Sequence, residues 1–255
     1  MKMQAALLLE AHQPFIVEEV ELDEPRTGEV LVKIAASGVC HSDYHMVSGA
    51  TKHPMPVVPG HEGAGVVQAV GSGVTRVQPG DHVTLNWAPD CGHCFYCLRG
   101  KPNLCETYID PIWAGTMLDG TTRLHWKGQT VYHFSGLASF AEYAVVPQES
   151  CVRIRKDVPL TVAALVGCAV ATGVGAAMYT AEVKAGETVV VFGCGGVGLN
   201  ILQGAALCGA EKIIAVDTNP AKMEIARQFG ATHAIMATDN PIQAIRDLTN
   251  GRGAE

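Results

Sequence analysis

Thr188 to Gly198, "TVVVFGCGGVG", runs an unbroken apolar strand straight into a cluster of glycines. A strand with no polar alternation is buried on both faces, which is the habit of a parallel sheet. Gly193, Gly195 and Gly198 stand in G-x-G-x-x-G register. In that arrangement the first glycine makes the tight turn, the second lets backbone approach a pyrophosphate, and the third lets the next helix pack on the strand. The helix start, where Gly196 and Val197 fall, offers unpaired N–H groups and partial positive charge to phosphate. Glycine-rich turns are common, so context decides between a ligand cradle and a plain strand–turn–helix. Here a second apolar strand, "KIIAVD", ends in Asp217, nineteen residues after Gly198. A carboxylate there accepts hydrogen bonds from an adenosine ribose 2′-OH and repels a 2′-phosphate, which predicts NAD rather than NADP.

Working outward from this stretch, "PAKMEIARQFGA" reads as a helix, "THAIMA" as a strand and "PIQAIRDLTN" as a helix. Buried strands alternating with helices predict a doubly wound α/β unit with right-handed crossovers. Residues 3 to about 150 have a different grammar. "MQAALLL", "FIVEEVEL", "EVLVKIAASGVC", "AGVVQAVG", "DHVTLN" and "FAEYAVV" are short β-rich runs separated by turn signals such as "EPRTGE" and "VQPGDH". They predict a compact barrel-like fold with long loops.

The 255 residues carry a net charge of −7 and no basic run, which excludes a phosphate-tracking nucleic-acid binder. One uncharged stretch, "TVAALVGCAVATGVGAAMYTA" from Thr161 to Ala181, has the length of a membrane span. Its Ala, Gly, Val and Thr composition instead predicts a closely packed core segment, so no membrane is expected.

Nine cysteines and no secretory signal in "MKMQAALLLEAHQPFIVEEV" point to a reducing, cytoplasmic setting. Four of them, Cys91, Cys94, Cys97 and Cys105, follow C-x2-C-x2-C-x7-C spacing. Adjacent disulfides belong to secreted frameworks, whereas four thiolates close a tetrahedral zinc shell. We read this lobe as a structural zinc site. Cys40, His61, Glu62 and Cys168 are further metal-ligand types, yet each alone is as readily a buried thiol or a hydrogen-bonded core group. Cys151, Cys194 and Cys208 read as buried thiols with no function.

Taken together, "GVCHSD", "GHEGAGVV", the four-cysteine lobe, "GCAVATG" and "VVVFGCGGVGL" resemble, in this order, the zinc-dependent medium-chain alcohol dehydrogenases. "AGTMLDGTTRL" and "HFSGLASFAEYAVV" resemble the branch that includes liver-type and glutathione-dependent formaldehyde-oxidising enzymes. The resemblance implies a GroES-like catalytic domain over 1–172, with the zinc lobe at 88–108, and an incomplete Rossmann domain over 173–255. It implies a catalytic zinc on Cys40, His61 and Cys168, with Glu62 nearby and Asp43 orienting the ligand histidine. It also implies a proton relay through Ser42 and His45. His41 would face the pyrophosphate where many relatives have Arg, Thr172 and Val197 would lie beside the nicotinamide, and Lys222 by the ribose.

Trp87 would wall the substrate pocket. Ile109 stands where the glutathione-dependent branch presents Arg for an anionic substrate, which favours neutral alcohols. The expected reaction is hydride transfer between a primary alcohol, aromatic or medium-chain, and NAD, giving the aldehyde, with two zinc ions per chain. Glutathione-dependent formaldehyde oxidation is the second reading and a non-catalytic zinc- and NAD-binding protein the third. The resemblance also leads to the expectation of a homo-oligomer, dimer or tetramer, for the full-length enzyme. A further buried strand is expected where the chain stops at "GRGAE", so the 255 residues are expected to be truncated, to dimerise poorly and to show no useful hydride transfer.

Overall fold

Along β1 (Lys2–Leu7) buried and exposed side chains alternate, so Met3, Ala5 and Leu7 share one covered face. The computed structural model describes residues 1–255 and divides into two units, Met1–Cys168 and Ala169–Glu255. After β1, the first unit continues with β2 (Ile16–Leu22), β3 (Glu29–Gly38), α1 (His41–Val47), β4 (Val57–Val58), β5 (Glu62–Val70) and β6 (His82–Leu85). There follow α2 (Glu106–Ala114), β7 (Leu124–Trp126), β8 (Gln129–His133), β9 (Tyr143–Pro147), β10 (Cys151–Ile154) and α3 (Leu160–Ala163). Two five-stranded sheets result, in the orders β1-β2-β7-β8-β4 and β10-β6-β5-β3-β9. Met3, Leu7, Val20, Leu22, Leu124 and Val131 form one core cluster, and Val30, Val32, Val67, Val83, Leu85 and Val146 form another.

The β-rich expectation for this half holds, with additions. β4, β7, β8 and β10 lie outside the six quoted runs, and α1 and α2 interrupt the strands. β3 pairs antiparallel with β5 and is bent by register shifts at Leu31/Val32 and Ile34/Ala36. Such irregularities re-aim a strand end. The pairing finishes at Gly38 opposite Glu62.

The second unit contains α4 (Ala169–Gly175), β11 (Thr188–Phe192), α5 (Gly196–Leu207), β12 (Lys212–Asp217), α6 (Ala221–Gln228), β13 (His233–Met236) and α7 (Pro241–Leu248). The strands are parallel in the order β11-β12-β13. One side of the sheet packs Val191, Leu202, Ile213 and Ala215, and the other packs Ile214, Val216 and Ile245. Burial on both sides is why these strands read as continuous apolar runs. The boundary at Cys168/Ala169 falls ahead of the 172/173 division expected from the sequence, because α4 packs on α5: a Cβ at Gly173 would collide with Asn200.

The Thr161–Ala181 stretch corrects the expectation of a core segment. It is broken into short helical pieces, each burying one side through Ala163, Ala164, Gly173 or Ala177. Val162 remains 58% exposed and Tyr179 80%. Cys168 interrupts it with non-helical backbone (φ −136°, ψ −77°), and no single helix in the chain is long and apolar enough to cross a membrane.

Candidate metal and coenzyme sites

The end of β3 and the start of β5 lie side by side, so Cys40, two residues past one, comes beside His61, one residue before the other. Cys40 is the N-cap of α1 and Asp43 its N3 residue. The Asp43 carboxylate is 1% exposed and fully used. Its Oδ2 accepts from the Cys40 N–H at 3.0 Å, and its Oδ1 accepts from the Gly60 N–H at 3.0 Å and from His61 Nδ1 at 3.2 Å. Asp43 therefore ties the helix start to the histidine loop and fixes the His61 tautomer, leaving Nε2 as that ring's other nitrogen.

Cys168 arrives from the far end of the unit. Gly167 must be glycine, because a Cβ there would collide with the carbonyl oxygen of Leu85 on β6. Thr84 Oγ1 donates to the Ala163 carbonyl at 2.8 Å and anchors the same segment. Gly38 has a matching constraint, since a Cβ would strike Glu62 Oε2. As a result one donor atom each from Cys40, His61, Glu62 and Cys168 lie within 4.8 Å of one another.

The protonation of this set is that of a site built for a cation. Hydrogen bonds from Cys168 and then His61 pull the Cys40 thiol down to about 3, so it is a thiolate. Sharing that hydrogen bond, together with burial and the nearby Cys40 and Glu62 charges, pushes the Cys168 thiol far up. Burial lowers the pKa of His61, but hydrogen bonds to Asp43 and Cys40 outweigh it and raise the ring to about 9.

The lobe brings its four cysteines together as the spacing predicts, with all four Sγ atoms within 4.8 Å of one another. Cys94 and Cys105 Sγ are 4.0 Å apart, and backbone N–H groups of Cys91 and Cys94 point at the sulfurs of Cys105 and Cys91, at 3.4 and 3.3 Å. A disulfide requires about 2.05 Å, whereas a zinc tetrahedron with Zn–S near 2.3 Å has edges of roughly 3.8 Å. All nine cysteines are free thiols. Hydrogen bonds from the Thr107 side chain and the His93 backbone pull Cys91 down to about 6, while burial pushes Cys97 up to about 12.

In the second unit Gly195 caps α5 and Gly196 begins it, leaving the first N–H groups of that helix without intrahelical partners. Gly193 has φ 92°, a conformation that excludes side chains, and a Cβ at Gly198 would collide with the Gly193 carbonyl. A Cβ at Gly195 would meet no protein atom within 4 Å, so packing alone does not demand a glycine there. Asp217 ends β12 and accepts from the Cys194 N–H at 2.6 Å and the Asn219 N–H at 2.8 Å. These bonds, with Lys222 nearby, hold its carboxyl below the usual range. It is charged at neutral pH and would repel a 2′-phosphate. Asp217→Gly is therefore expected to shift coenzyme preference toward NADP by roughly tenfold or more, the worth of about 1.4 kcal/mol of repulsion. Comparing fluorescence titrations of NADH and NADPH checks this, and equal binding of both by the unsubstituted protein would sink the Asp217 reading.

The remaining expected site residues fall out unevenly. Ser42 Oγ meets Cys40 Sγ at 3.7 Å but shares no hydrogen bond with His45, whose ring instead packs edge-on against His41 at 4.7 Å. His41 and His45 are one helical turn apart on α1, which brings their rings together. Trp87 is half-buried against the cluster containing Val83 and Leu85. Thr172 is exposed on α4, and Val197, in the first turn of α5, is 39% exposed. Cys208 is half-exposed, not buried. The aromatic ring that does meet a metal-ligand candidate is Phe134, 5.3 Å from His61 between ring centroids. Sequence reasoning passed over it inside "HFSGLASFAEYAVV".

Residues 26–156 match the family described as alcohol dehydrogenase GroES-like domain, and residues 196–255 match zinc-binding dehydrogenase. Over 255 residues the chain is 46% identical to the NDMA-dependent alcohol dehydrogenase of Amycolatopsis methanolica, covering all of this chain and 68% of that protein. It is 45% identical over 258 residues to the S-(hydroxymethyl)glutathione dehydrogenase of Synechocystis sp. (strain ATCC 27184 / PCC 6803 / Kazusa), covering 100% and 70% of the two chains. The crystal structure of benzyl alcohol dehydrogenase from Acinetobacter calcoaceticus superposes with TM-score 0.91 at 35% identity, covering 98% of this chain and 68% of that one.

The chain belongs to the zinc-dependent alcohol dehydrogenase family. Both cysteine-containing sets fit zinc by donor type, and by an imidazole whose Nδ1 is already committed to Asp43. As an alcohol dehydrogenase it would hold the catalytic ion on Cys40, His61 and Cys168. When bound there, zinc supplies Lewis acidity that lowers the pKa of a coordinated hydroxyl. Asp43 keeps the His61 ring in its ligating tautomer, and burial of His61, Glu62 and Cys168 keeps bulk water from the set.

Metal binding at this set has a definite proton cost. Below pH about 9 the metal-free site carries protons on both His61 and Cys168 that the ligand form lacks. Zinc uptake there is expected to release about two protons at pH 7, so affinity rises with pH, by roughly a hundredfold per unit, until His61 has lost its proton. Calorimetry in buffers of different ionisation enthalpy counts the protons. Affinity that is flat between pH 6 and 8 would contradict this.

Proposed function

We propose that this alcohol dehydrogenase interconverts an aromatic or medium-chain primary alcohol and its aldehyde, with NAD carrying the hydride. The observation that carries the reaction class is the Cys40–His61–Cys168 donor set, with His61 and Cys168 buried and the imidazole held by Asp43. A glycine turn and Asp217 suit NAD in the same chain.

The substrate class rests on α2. Its sequence, "ETYIDPIWA", has two acidic residues and no lysine or arginine, and presents Ile109 (46% exposed) and Trp113 (51%) on one face, a turn apart. An anionic glutathione adduct would meet like charge on this helix, whereas a neutral apolar alcohol would not. The likeness to benzyl alcohol dehydrogenase supports the same choice. Relatives named S-(hydroxymethyl)glutathione dehydrogenase keep that reaction as the second reading.

Nine free thiols suit a reducing cytoplasm, and a net charge of −7 suits neither nucleic acid nor an anionic membrane surface. A homo-oligomer, dimer or tetramer, of the complete enzyme is part of the same proposal and is read by light scattering. The functional test is an NADH-absorbance screen of the complete protein over benzyl alcohol, hexanol, ethanol and S-(hydroxymethyl)glutathione, with and without NDMA. Benzyl alcohol or hexanol is expected to give the highest kcat/KM. Faster turnover of the glutathione adduct would replace this proposal with the second reading.

A further inference from the structure

We propose that Phe134 is a positioning residue that sets the plane of the His61 imidazole, braced from behind by helix α2. The inference rests on the reading of His61 as a zinc ligand. The hydrogen bond from Nδ1 to Asp43 lies in the plane of the ring, at its edge, and does not by itself cover the ring's flank. The second constraint is Phe134, 5% exposed, whose ring meets the His61 ring at 83° with centroids 5.3 Å apart. That is the edge-to-face arrangement aromatic rings prefer. Phe134 also packs edge-to-face on His53, 5.6 Å between centroids at 74°. His53 is itself anchored, its Nδ1 donating to the Pro54 carbonyl at 2.9 Å. Phe134 is therefore gripped between a histidine that is pinned and one that has Nε2 to offer.

The backbone carrying Phe134 is held as tightly. Ser135 and Ala138 both have φ 54°, left-handed for residues with a Cβ. Such conformations persist only where the surroundings over-determine them, and they gather at functional sites. The surroundings here are α2. Its C-terminal Gly115 carbonyl accepts from the His133 N–H at 2.9 Å, immediately before Phe134. Ile112 Cγ1 lies 3.9 Å from where a Cβ on Gly136 would stand. The helix begins at the lobe residue Cys105, and Tyr108 OH donates to Glu149 Oε2 at 2.7 Å. The helix that packs against the Phe134 segment is thus itself held in place.

The test uses the full chain labelled with 15N-histidine, loaded with zinc, in unmodified, Phe134→Leu and Phe134→Met forms. Both substitutions keep apolar bulk and remove the ring edge. Outer partners of metal-ligating histidines are typically worth 10–100-fold in affinity. Zinc at the Cys40–His61–Cys168 set is expected to be lost to a competing chelator about tenfold more readily in both variants. The His61 ring nitrogen signals should shift or broaden, while the lobe holds its zinc unchanged, which excludes general unfolding. If both variants retain zinc and His61 signals like the unmodified protein, and only the KM for alcohols changes, Phe134 is a substrate contact and the proposal is wrong. If the unmodified protein takes up no zinc at His61, the zinc reading itself fails, which is a different result.

Discussion

In the complete enzyme, Cys168→Ser is expected to leave one zinc ion per chain where the unmodified protein holds two, and to abolish turnover. Serine keeps the volume but replaces a soft thiolate by a hydroxyl that does not ionise at neutral pH, so the donor set falls to one thiolate and one imidazole. The loss should exceed the 10–100-fold typical of an outer-shell partner, because a direct ligand is removed. The lobe ion stays, since its four sulfurs come from residues 91–105 and none of them is Cys168. Cys94→Ser makes the complementary change, losing the lobe ion and thermal stability while Cys40, His61 and Cys168 keep theirs. Metal analysis by mass spectrometry on both variants reads the outcome. One ion in the unmodified protein, still present after Cys94→Ser, would overturn the two-site assignment.

The second large effect is on stability. Arg123 has no exposed surface, yet it is an arginine. Its Nε donates to Glu29 Oε2 at 2.9 Å, Nη2 donates to Glu29 Oε1 and to Asp119 Oδ2 at 2.8 Å, and Nη1 reaches Thr121 Oγ1 at 2.6 Å. Glu29 opens β3 in one sheet and Arg123 immediately precedes β7 in the other, so this ion pair joins the two sheets. Arg123→Ala strands the buried Glu29 carboxylate, and removing one partner of a buried pair costs about 3–5 kcal/mol. For a chain of this size that lowers Tm by on the order of 10 °C, at roughly 2–4 °C per kcal/mol. Replacing both partners with Leu should recover much of the loss, because the penalty lies in the uncompensated charge. A Tm drop under about 3 °C in Arg123→Ala would show that water reaches Glu29 and that the pair is not a buried link.

How much of this was legible in the sequence depends on how far apart along the chain the cooperating atoms lie. β11, the glycine turn, α5 and β12 occupy one continuous stretch, and their pattern states the fold because strand burial and turn conformation are local requirements. The lobe is legible for the same reason, with four ligands inside fifteen residues. Strands such as β4, with two residues, and β7, with three, have too little length to show any period, and exist because neighbours pair with them. Helix α1 falls outside the quoted strand runs, although Cys40 and Asp43 supply its N-terminal cap.

The catalytic set was nameable only by resemblance. Nothing local marks Cys40, His61 and Cys168 as partners, since each is an ordinary buried residue type until the sheet forms. What joins them is the β3–β5 register ending at Gly38 and Glu62, together with a glycine at 167 that lets the last cysteine approach β6. Ser42 and His45 share helix α1, and it is the pitch of that helix that sets the His45 ring against His41. Arg123 and Phe134 lie inside stretches that carry the resemblance, yet nothing local assigned either of them a contact. By itself the sequence determined the sheet type, the phosphate turn and the lobe, where the groups that interact are neighbours in the chain. Only the tertiary structure decided that Phe134 would lie against His61, more than seventy residues away, because that contact exists only once two sheets have closed around it.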